Sequence, residues 1–409
     1  METLNAQIRQ LRKVSGLSQT MFAEKFEIPT STLQDWEHNR RTPPIYVVGM
    51  INTILSSEIN YKNHTLGNSI LNKAKSAKDN DEFYTTYETI AKEMEHYTSH
   101  FENKTVLCNC DDPFESNFSK YFIKNFNKLR LKGLICTSYC ASKVLGTESE
   151  LTDEEGNILS NRNGYVVSLK NVPQRINEDS SDSDIHDFLK NQKVVKRLKG
   201  NGDFRSDECI EYLRKSDIVV TNPPFSLFRD LIILVTKYNK KFLVIGNQNA
   251  ITYKEIFPLI QENKAWIGYQ FGDMSFRVPN DSKPRDTRFW IDESGQKWRS
   301  LGNAMWLTNI DMNRRHQSLI LDKIYDRDKY PKYDEYDAIE VSKVSDIPKD
   351  YDGIMGVPIT FLNKHNPEQF EIIGEANHGS DNSFDLFKPT VQGKLKFKRI
   401  LIKRVELGV

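Results

Sequence analysis

The sequence predicts an α/β protein with a Rossmann-like, doubly wound sheet, preceded by a small all-α unit. Two observations predict the sheet: short apolar runs recur along residues 81–310, and helical patterns separate them. A third predicts the separate unit: apolar residues cluster within positions 1–60, and residues 61–80, rich in Asn, Lys and Ser, read as a linker. With 409 residues, 38% of them hydrophobic, the chain can bury a sizeable core and is expected to hold more than one domain. No apolar run reaches the roughly 18 residues of a membrane span, and Met1-Glu2-Thr3 does not open a secretory signal. A cytoplasmic protein without a membrane partner is expected.

In chain order, Leu11, Val14, Leu17, Met21, Phe22, Phe26 and Ile28 supply the core of the first unit, and Ser18-Gln19-Thr20 marks a helix start. In the second unit, Val106-Leu107-Cys108-Asn109-Cys110 reads as a buried strand, followed by a helix carrying Phe118, Phe122, Phe126 and Leu129. The runs Leu134-Ile135-Cys136-Thr137, Ile218-Val219-Val220-Thr221 and Phe242-Leu243-Val244-Ile245-Gly246 continue a parallel sheet. Tyr165-Val166-Val167-Ser168-Leu169 lies between two acidic, polar stretches, Thr147 to Asn161 and Asn177 to Asp187. It reads as a hairpin excursion with a mobile loop, an insertion near residues 145–200. Residues 311–409 form a C-terminal region that, with the aromatic and basic segments around Trp266 to Arg277 and Trp290 to Trp306, is the candidate for target recognition.

Ligands of doubly wound sheets sit outside the carboxyl ends of the strands, where strand order switches. Polar groups gather there: Asn109-Cys110-Asp111-Asp112-Pro113, Thr137-Ser138-Tyr139, Gly202-Asp203-Phe204 and Asn222-Pro223-Pro224-Phe225. The last is the most informative. Two prolines fix φ and remove two backbone donors, so the corner presents carbonyls rigidly. Phe225 offers a face for a planar ring, and Asn222 an acceptor for an exocyclic amine. An ordinary Asn-Pro turn after a strand is the plain alternative. Asp111 and Asp112 read equally as cofactor contacts or as a helix N-cap and first-turn acid. The glycine-rich turn that commonly follows a first strand is absent. Five cysteines at 108, 110, 136, 140 and 209 match no common zinc spacing, so no metal is expected.

Three basic runs favour nucleic acid despite a net charge of +1: Lys120 to Lys132, Lys190 to Lys199, and Lys394-Leu395-Lys396-Phe397-Lys398, whose alternation would give one basic and one apolar strand face.

Asp81-Glu82-Phe83-Tyr84-Thr85, Cys108 to Pro113, Asn222 to Phe225, Gly356-Val357-Pro358-Ile359-Thr360-Phe361 and Asn366-Pro367-Glu368-Gln369-Phe370 together resemble EcoRI-type DNA adenine-N6 methyltransferases. The resemblance implies an S-adenosylmethionine-dependent enzyme acting on double-stranded DNA. It implies that Asn222 and the Pro223 carbonyl accept the adenine amino hydrogens, with Pro224 holding the corner and Phe225 stacking on a flipped base. Phe83, Tyr84 and Thr85 would lie near the methionine end of the cofactor, Asn109, Asp111, Asp112 and Pro113 near its methionine and ribose, and Asp203 with Phe204 near its adenine. Ile8 through Arg40-Arg41-Thr42-Pro43-Pro44 resembles a Cro/repressor-type helix-turn-helix. That likeness implies Ser31, Thr32 and Gln34 toward a major groove and Gln19 and Arg40 toward phosphate, or a unit for self-association. An RNA adenine methyltransferase, and a DNA-binding regulator with an inactive methyltransferase fold, stay open as alternatives.

Overall fold

The computed structural model describes residues 3–15, 19–26, 28–51, 84–139, 163–191, 194–278, 282, 284, 286–376 and 389–405. The chain divides into two compact units, Met1–Asn80 and Asp81–Val409. The expected linker at 61–80 and the stretch Thr147 to Asn161 lie outside the described residues. No described helix is long and apolar enough to cross a membrane.

The first unit packs α1 (Leu4–Ser15), α2 (Gln19–Lys25), α3 (Thr30–Glu37) and α4 (45–51) around Ile8, Phe22, Ala23, Leu33, Trp36, Val48 and Ile51. Its helices are short, and the polar contact at its centre is correspondingly dense. Buried Glu37 at the end of α3 accepts from Arg12 Nε at 2.6 Å on α1 and from Gln19 Nε2 at 2.6 Å on α2. Burial alone would raise the Glu37 carboxyl; Arg12 and Gln19 outweigh it and hold it below the usual carboxylate range. Three helices are thereby tied to one side chain.

The second unit is built on a sheet of β1 (Tyr84–Thr85), β2 (Thr105–Cys108), β3 (Gly133–Thr137), β4 (Tyr165–Leu169), β5 (Val195–Arg197), β6 (Ile218–Thr221), β7 (Lys241–Asn247), β8 (Trp266–Arg277), β9 (Phe289–Ile291) and β10 (Lys297–Thr308). The order is β1-β8-β10-β7-β6-β2-β3-β4-β5, with β9 on β10. Strands β3, β2, β6 and β7 are parallel, as their apolar runs predict. Such strands are buried on both faces, and alternate residues here enter different cores. Val106, Cys108, Leu134 and Val220 meet α5 (Tyr87–Met94), α6 (Asn117–Lys124) and α7 (Asp182–Asn191), whereas Leu107, Ile135 and Val219 meet α8 (Asp207–Lys215) and α9 (Phe228–Lys237). Helices therefore cover both faces.

The sheet is mixed at its flanks. Tyr165–Leu169 pairs antiparallel with β3 as a hairpin would, but it lies within the sheet as a buried strand, antiparallel also to β5. Beyond the short α10 (Phe257–Gln261), the C-terminal stretch adds a second sheet, β11 (Ala338–Glu340), β12 (Ile354–Pro358), β16 (Arg399–Arg404) and β13 (Phe370–Ala376) in that order, and the hairpin β14 (Thr390–Val391) and β15 (Lys394–Leu395). Ile339, Val357, Phe361 and Ile402 share one core with Leu107 and Val219, so this stretch is continuous with the large sheet.

Two basic runs have structural roles that their sequence does not show. Lys120 is buried and paired with Asp182 at 2.6 Å, Lys128 meets Glu178 at 2.7 Å and Arg130 meets Glu102 at 2.9 Å. Of the Lys394–Lys398 run only residues 394 and 395 are strand, and the expected apolar face is uncovered, with Leu395 and Phe397 exposed.

Glu93 is the conspicuous buried acid. It accepts from the backbone of Tyr269 (2.7 Å) and Gln270 (2.8 Å) and from the Tyr97 hydroxyl (3.1 Å), and so pins α5 to the irregular middle of β8. Burial raises its pKa in spite of these donors. Glu93→Ala leaves two strand amides without an acceptor, and we expect a loss of about 2–4 kcal/mol in stability, read as a lowered urea midpoint at constant slope.

Candidate active site

The parallel register Leu107↔Val219 brings the carboxyl ends of β2 and β6 side by side, while β3 lies on the opposite flank of β2. The chain thus changes direction at β2, and the crevice above it is where a ligand belongs. Asp111 bridges the two strand ends. Its Oδ2 accepts from Thr221 Oγ1 at 2.5 Å, its Oδ1 from Ser116 Oγ at 2.8 Å, and its carboxylate also takes the backbone N–H of Asn222. Burial pushes its pKa up to about 7 against these donors.

Asp112 does a different local job. Its Oδ1 accepts from the amides of Phe114 (2.9 Å) and Glu115 (3.3 Å), and its Oδ2 from the Tyr165 hydroxyl (2.6 Å). The turn after β2 is therefore stapled by an aspartate side chain where glycines were missing from the sequence. The N-cap of α6 is Ser116, so neither aspartate fills the capping role considered for it. Asn109 and Pro113 are buried in the same turn.

At the corner itself Pro224 has φ −49° and ψ 132°, and its carbonyl takes the Leu227 amide at 2.8 Å to start a 3-10 turn, Phe225–Leu227. Pro223 is buried, and Phe225 packs edge-on to buried Phe276, ring centroids 6.5 Å apart. Asn222 Nδ2 donates to Thr85 Oγ1 at 3.1 Å. That bond fixes the plane of the amide, whose other end, Oδ1, is buried at the corner. Thr85 and half-buried Tyr84 thus stand beside the corner; Phe83 lies outside the described residues.

On the far side of the crevice Asp203 is bound by Arg205, through its amide (2.9 Å), Nε (3.0 Å) and Nη2 (2.7 Å), and Arg205 also reaches Asp230 at 2.9 Å. Phe204 is buried in the core with α8. Gly202 has φ +84°, and a Cβ there would stand 1.9 Å from the Ser138 carbonyl oxygen. Only glycine lets this turn close on the end of β3. Among the described residues no group of three or more His, Cys, Asp or Glu side chains could hold a metal ion.

Sequence reasoning did not foresee the ribbon beside the corner. β7 ends at Asn247, opposite Ala304, so residues 297–303 of β10 run past the sheet edge by roughly 20 Å. With β1, β8 and β9 they form cross-strand rows: Thr85, Phe276, Arg299 and Phe289 on one face, Tyr84, Arg277, Trp298 and Trp290 on the other. The first row is the face on which Asn222 and Phe225 make their contacts. The available signal was the Trp- and Arg-rich composition of 288–299.

In the N-terminal unit Ser31 and Gln34 are exposed one turn apart on α3, Thr32 is half-buried, and Arg40 is exposed, 3.6 Å from Asp35. Gln19, expected to face phosphate, is half-buried and donates its amide nitrogen to Glu37.

The family described as adenine-specific methyltransferase EcoRI matches residues 70–405, and a helix-turn-helix family matches residues 8–56. Type II methyltransferase M.EcoRI of Escherichia coli is 46% identical over 346 residues, 83% of this chain and 98% of that protein. Type II methyltransferases M.MgeORF184P of Mycoplasma genitalium and M.MpnI of Mycoplasma pneumoniae are each 36% identical, over 82% and 81% of this chain and 99% and 97% of their own lengths. No solved structure matches.

The Asp111 carboxyl yields a pH prediction. Its folded pKa of about 7 lies above the ordinary 3.8, so between those values the folded state keeps a proton that the unfolded chain has released. Stability at this site must then fall as pH rises from about 4 to 7. Denaturant unfolding of wild type and Asp111→Asn at pH 5 and pH 8 should show the variant losing less stability over that interval.

Proposed function

The chain belongs to the adenine-specific methyltransferase family of the EcoRI type and is a DNA adenine methyltransferase; on that premise we propose that it moves a methyl group from S-adenosylmethionine to N6 of an adenine flipped out of a specific duplex sequence. The observation that carries the assignment of residues is the Asn222 amide, oriented by Thr85 at the crevice, with Phe225 beside it. The N6 lone pair is delocalised into the ring. Asn222 Oδ1 and the Pro223 carbonyl accept the two amino hydrogens and draw electron density back onto nitrogen, and Phe225 stacks on the extruded base. Bound S-adenosylmethionine supplies an electrophilic methyl group on a sulfonium. Nitrogen forms the new bond to carbon, the carbon–sulfur bond breaks with its electrons going to sulfur, and the displaced amino proton leaves to solvent.

Because Asp111 and Asp112 give their oxygens to the protein's own donors, and Asp203 gives both of its oxygens to Arg205, we assign the three to shaping the cradle, with Asn109 facing the cofactor. Tyr84 keeps the place proposed for it near the cofactor's methionine end. The overhanging β8–β10 ribbon, with Arg277, Arg299, Trp290 and Trp298, is the part best placed to grip duplex DNA around the extruded base. The protein works where its DNA lies, in the cytoplasm.

The N-terminal unit is a separate matter. M.EcoRI matches this chain over 98% of its own length while leaving part of this chain unmatched, and the family match starts at residue 70. The unit is therefore additional to the enzyme. We assign Ser31, Thr32, Gln34 and Arg40 to reading a second DNA site, near the protein's own promoter, with Ile45, Tyr46 and Met50 exposed on α4 for self-association.

Asn222→Ala should slow single-turnover methyl transfer from radiolabelled cofactor by about a hundredfold or more, the scale for losing one preorganised contact, with cofactor affinity little changed. Transfer near the wild-type rate sinks the assignment. Deleting residues 1–65 should leave the methylated motif as it is in methylome sequencing, and lower only the affinity for DNA carrying both sites. A relaxed or lost motif would place the unit in target recognition instead.

A further inference from the structure

We infer that Thr85 is a positioning residue for the catalytic amide: its hydroxyl bonds Asn222 Nδ2 and so holds in place the amide that is to meet the target amine. The inference rests on the catalytic corner proposed above and reassigns a residue whose neighbourhood in the sequence suggested cofactor contact. An Asn side chain is nearly symmetric in shape, and rotation about its last bond by half a turn exchanges oxygen for nitrogen. An exocyclic amine is a donor, so the rotated amide would meet it with two more donors. Something must select one rotamer before the base arrives.

Thr85 is built to hold the amide plane; its hydroxyl can donate as well as accept, so it fixes the group and leaves the choice of end to the surrounding corner. It is 4% exposed, and the whole residue is fixed on three sides. Its strand pairs with β8 in the register Thr85↔Phe276. Its carbonyl takes Asn117 Nδ2 of α6 at 2.7 Å. The following residue, Thr86, caps α5 by accepting the Thr89 amide at 3.1 Å. The hydroxyl that receives Asn222 at 3.1 Å thus sits on a backbone with little freedom to move. The same row carries Phe276, the ring against which Phe225 packs, so one strand pairing sets both the amide and the stacking ring. The bond also polarises the amide, which strengthens Oδ1 as an acceptor.

The experiment compares Thr85→Val, which keeps shape and strand propensity but has no hydroxyl, with Thr85→Ser, which keeps the hydroxyl, each alone and with Asn222→Ala. Single-turnover transfer on a duplex carrying the methylated motif, affinity for S-adenosylmethionine by calorimetry, and thermal unfolding are measured. We expect Thr85→Val to lower the rate on the order of tenfold, the scale of one neutral hydrogen bond, with cofactor affinity and melting temperature close to wild type, and Thr85→Ser to recover most of the loss. In the Asn222→Ala background, Thr85→Val should cost nothing further. A wild-type rate in Thr85→Val, a loss of cofactor affinity in place of rate, or a Thr85 effect that adds in full to that of Asn222→Ala would each overturn the inference. A full rate in Asn222→Ala alone would instead remove the corner on which it depends.

Discussion

The carboxylate of Asp111 is the joint on which the rest of the site hangs. A buried acid at the end of one central strand reaches the last residue of the neighbouring strand and the first residue beyond it. Without that bridge, nothing described here would hold the peptide after Thr221 against the turn after Cys108, and the two prolines would stiffen a corner of undefined direction. Burying a carboxylate disfavours its charged form, and the raised pKa records that tension. The same logic recurs at Glu93 and Glu37, where a buried acid ties together elements distant in sequence. In each case a single side chain accepts several donors, which is how a charge is kept in an apolar interior.

What the sequence disclosed and what it withheld divide along the range of the interactions. The four parallel strands and the corner were legible because β-branched apolar runs and a proline pair act locally. That Tyr165–Leu169 is a buried strand within the large sheet was hidden by its polar flanks, although its run is as apolar as the others. The acids that pair with the Lys120–Lys132 run could not be read locally, Asp182 lying 62 positions from Lys120 and Glu178 lying 50 from Lys128. No local pattern could show that Thr85 and Asn222, 137 positions apart, meet. The aspartates after β2 illustrate the same limit: their residue type pointed to a ligand or a cap, and only the positions of Thr221, Ser116 and Tyr165 show where their oxygens go.

The catalytic unit joins a rigid edge to a projecting ribbon. Chemistry is placed at the ends of β2 and β6, inside a sheet covered on both faces, whereas the aromatic and basic rows belong to strands that continue past that cover. Sites on strands are held more narrowly than sites on loops. A duplex gripped by the ribbon, as proposed, would meet side chains whose spacing is dictated by sheet pairing, beside the proposed catalytic corner.

The pairing of β1 with β8 has a further consequence, for synthesis of the chain. Among the described strands β1 has β8 as its sole neighbour, and the two are separated by nearly the whole of the large sheet in sequence. On a ribosome adding roughly 5–20 residues per second, Thr85 emerges on the order of ten seconds or more before Phe276 can pair with it. A nascent chain that has already made the Asn-Pro-Pro-Phe turn still lacks the strand that seats Thr85. Competence for methylation thus arrives late and all at once, and a truncated translation product ending before β8 would carry the corner without the means to aim it.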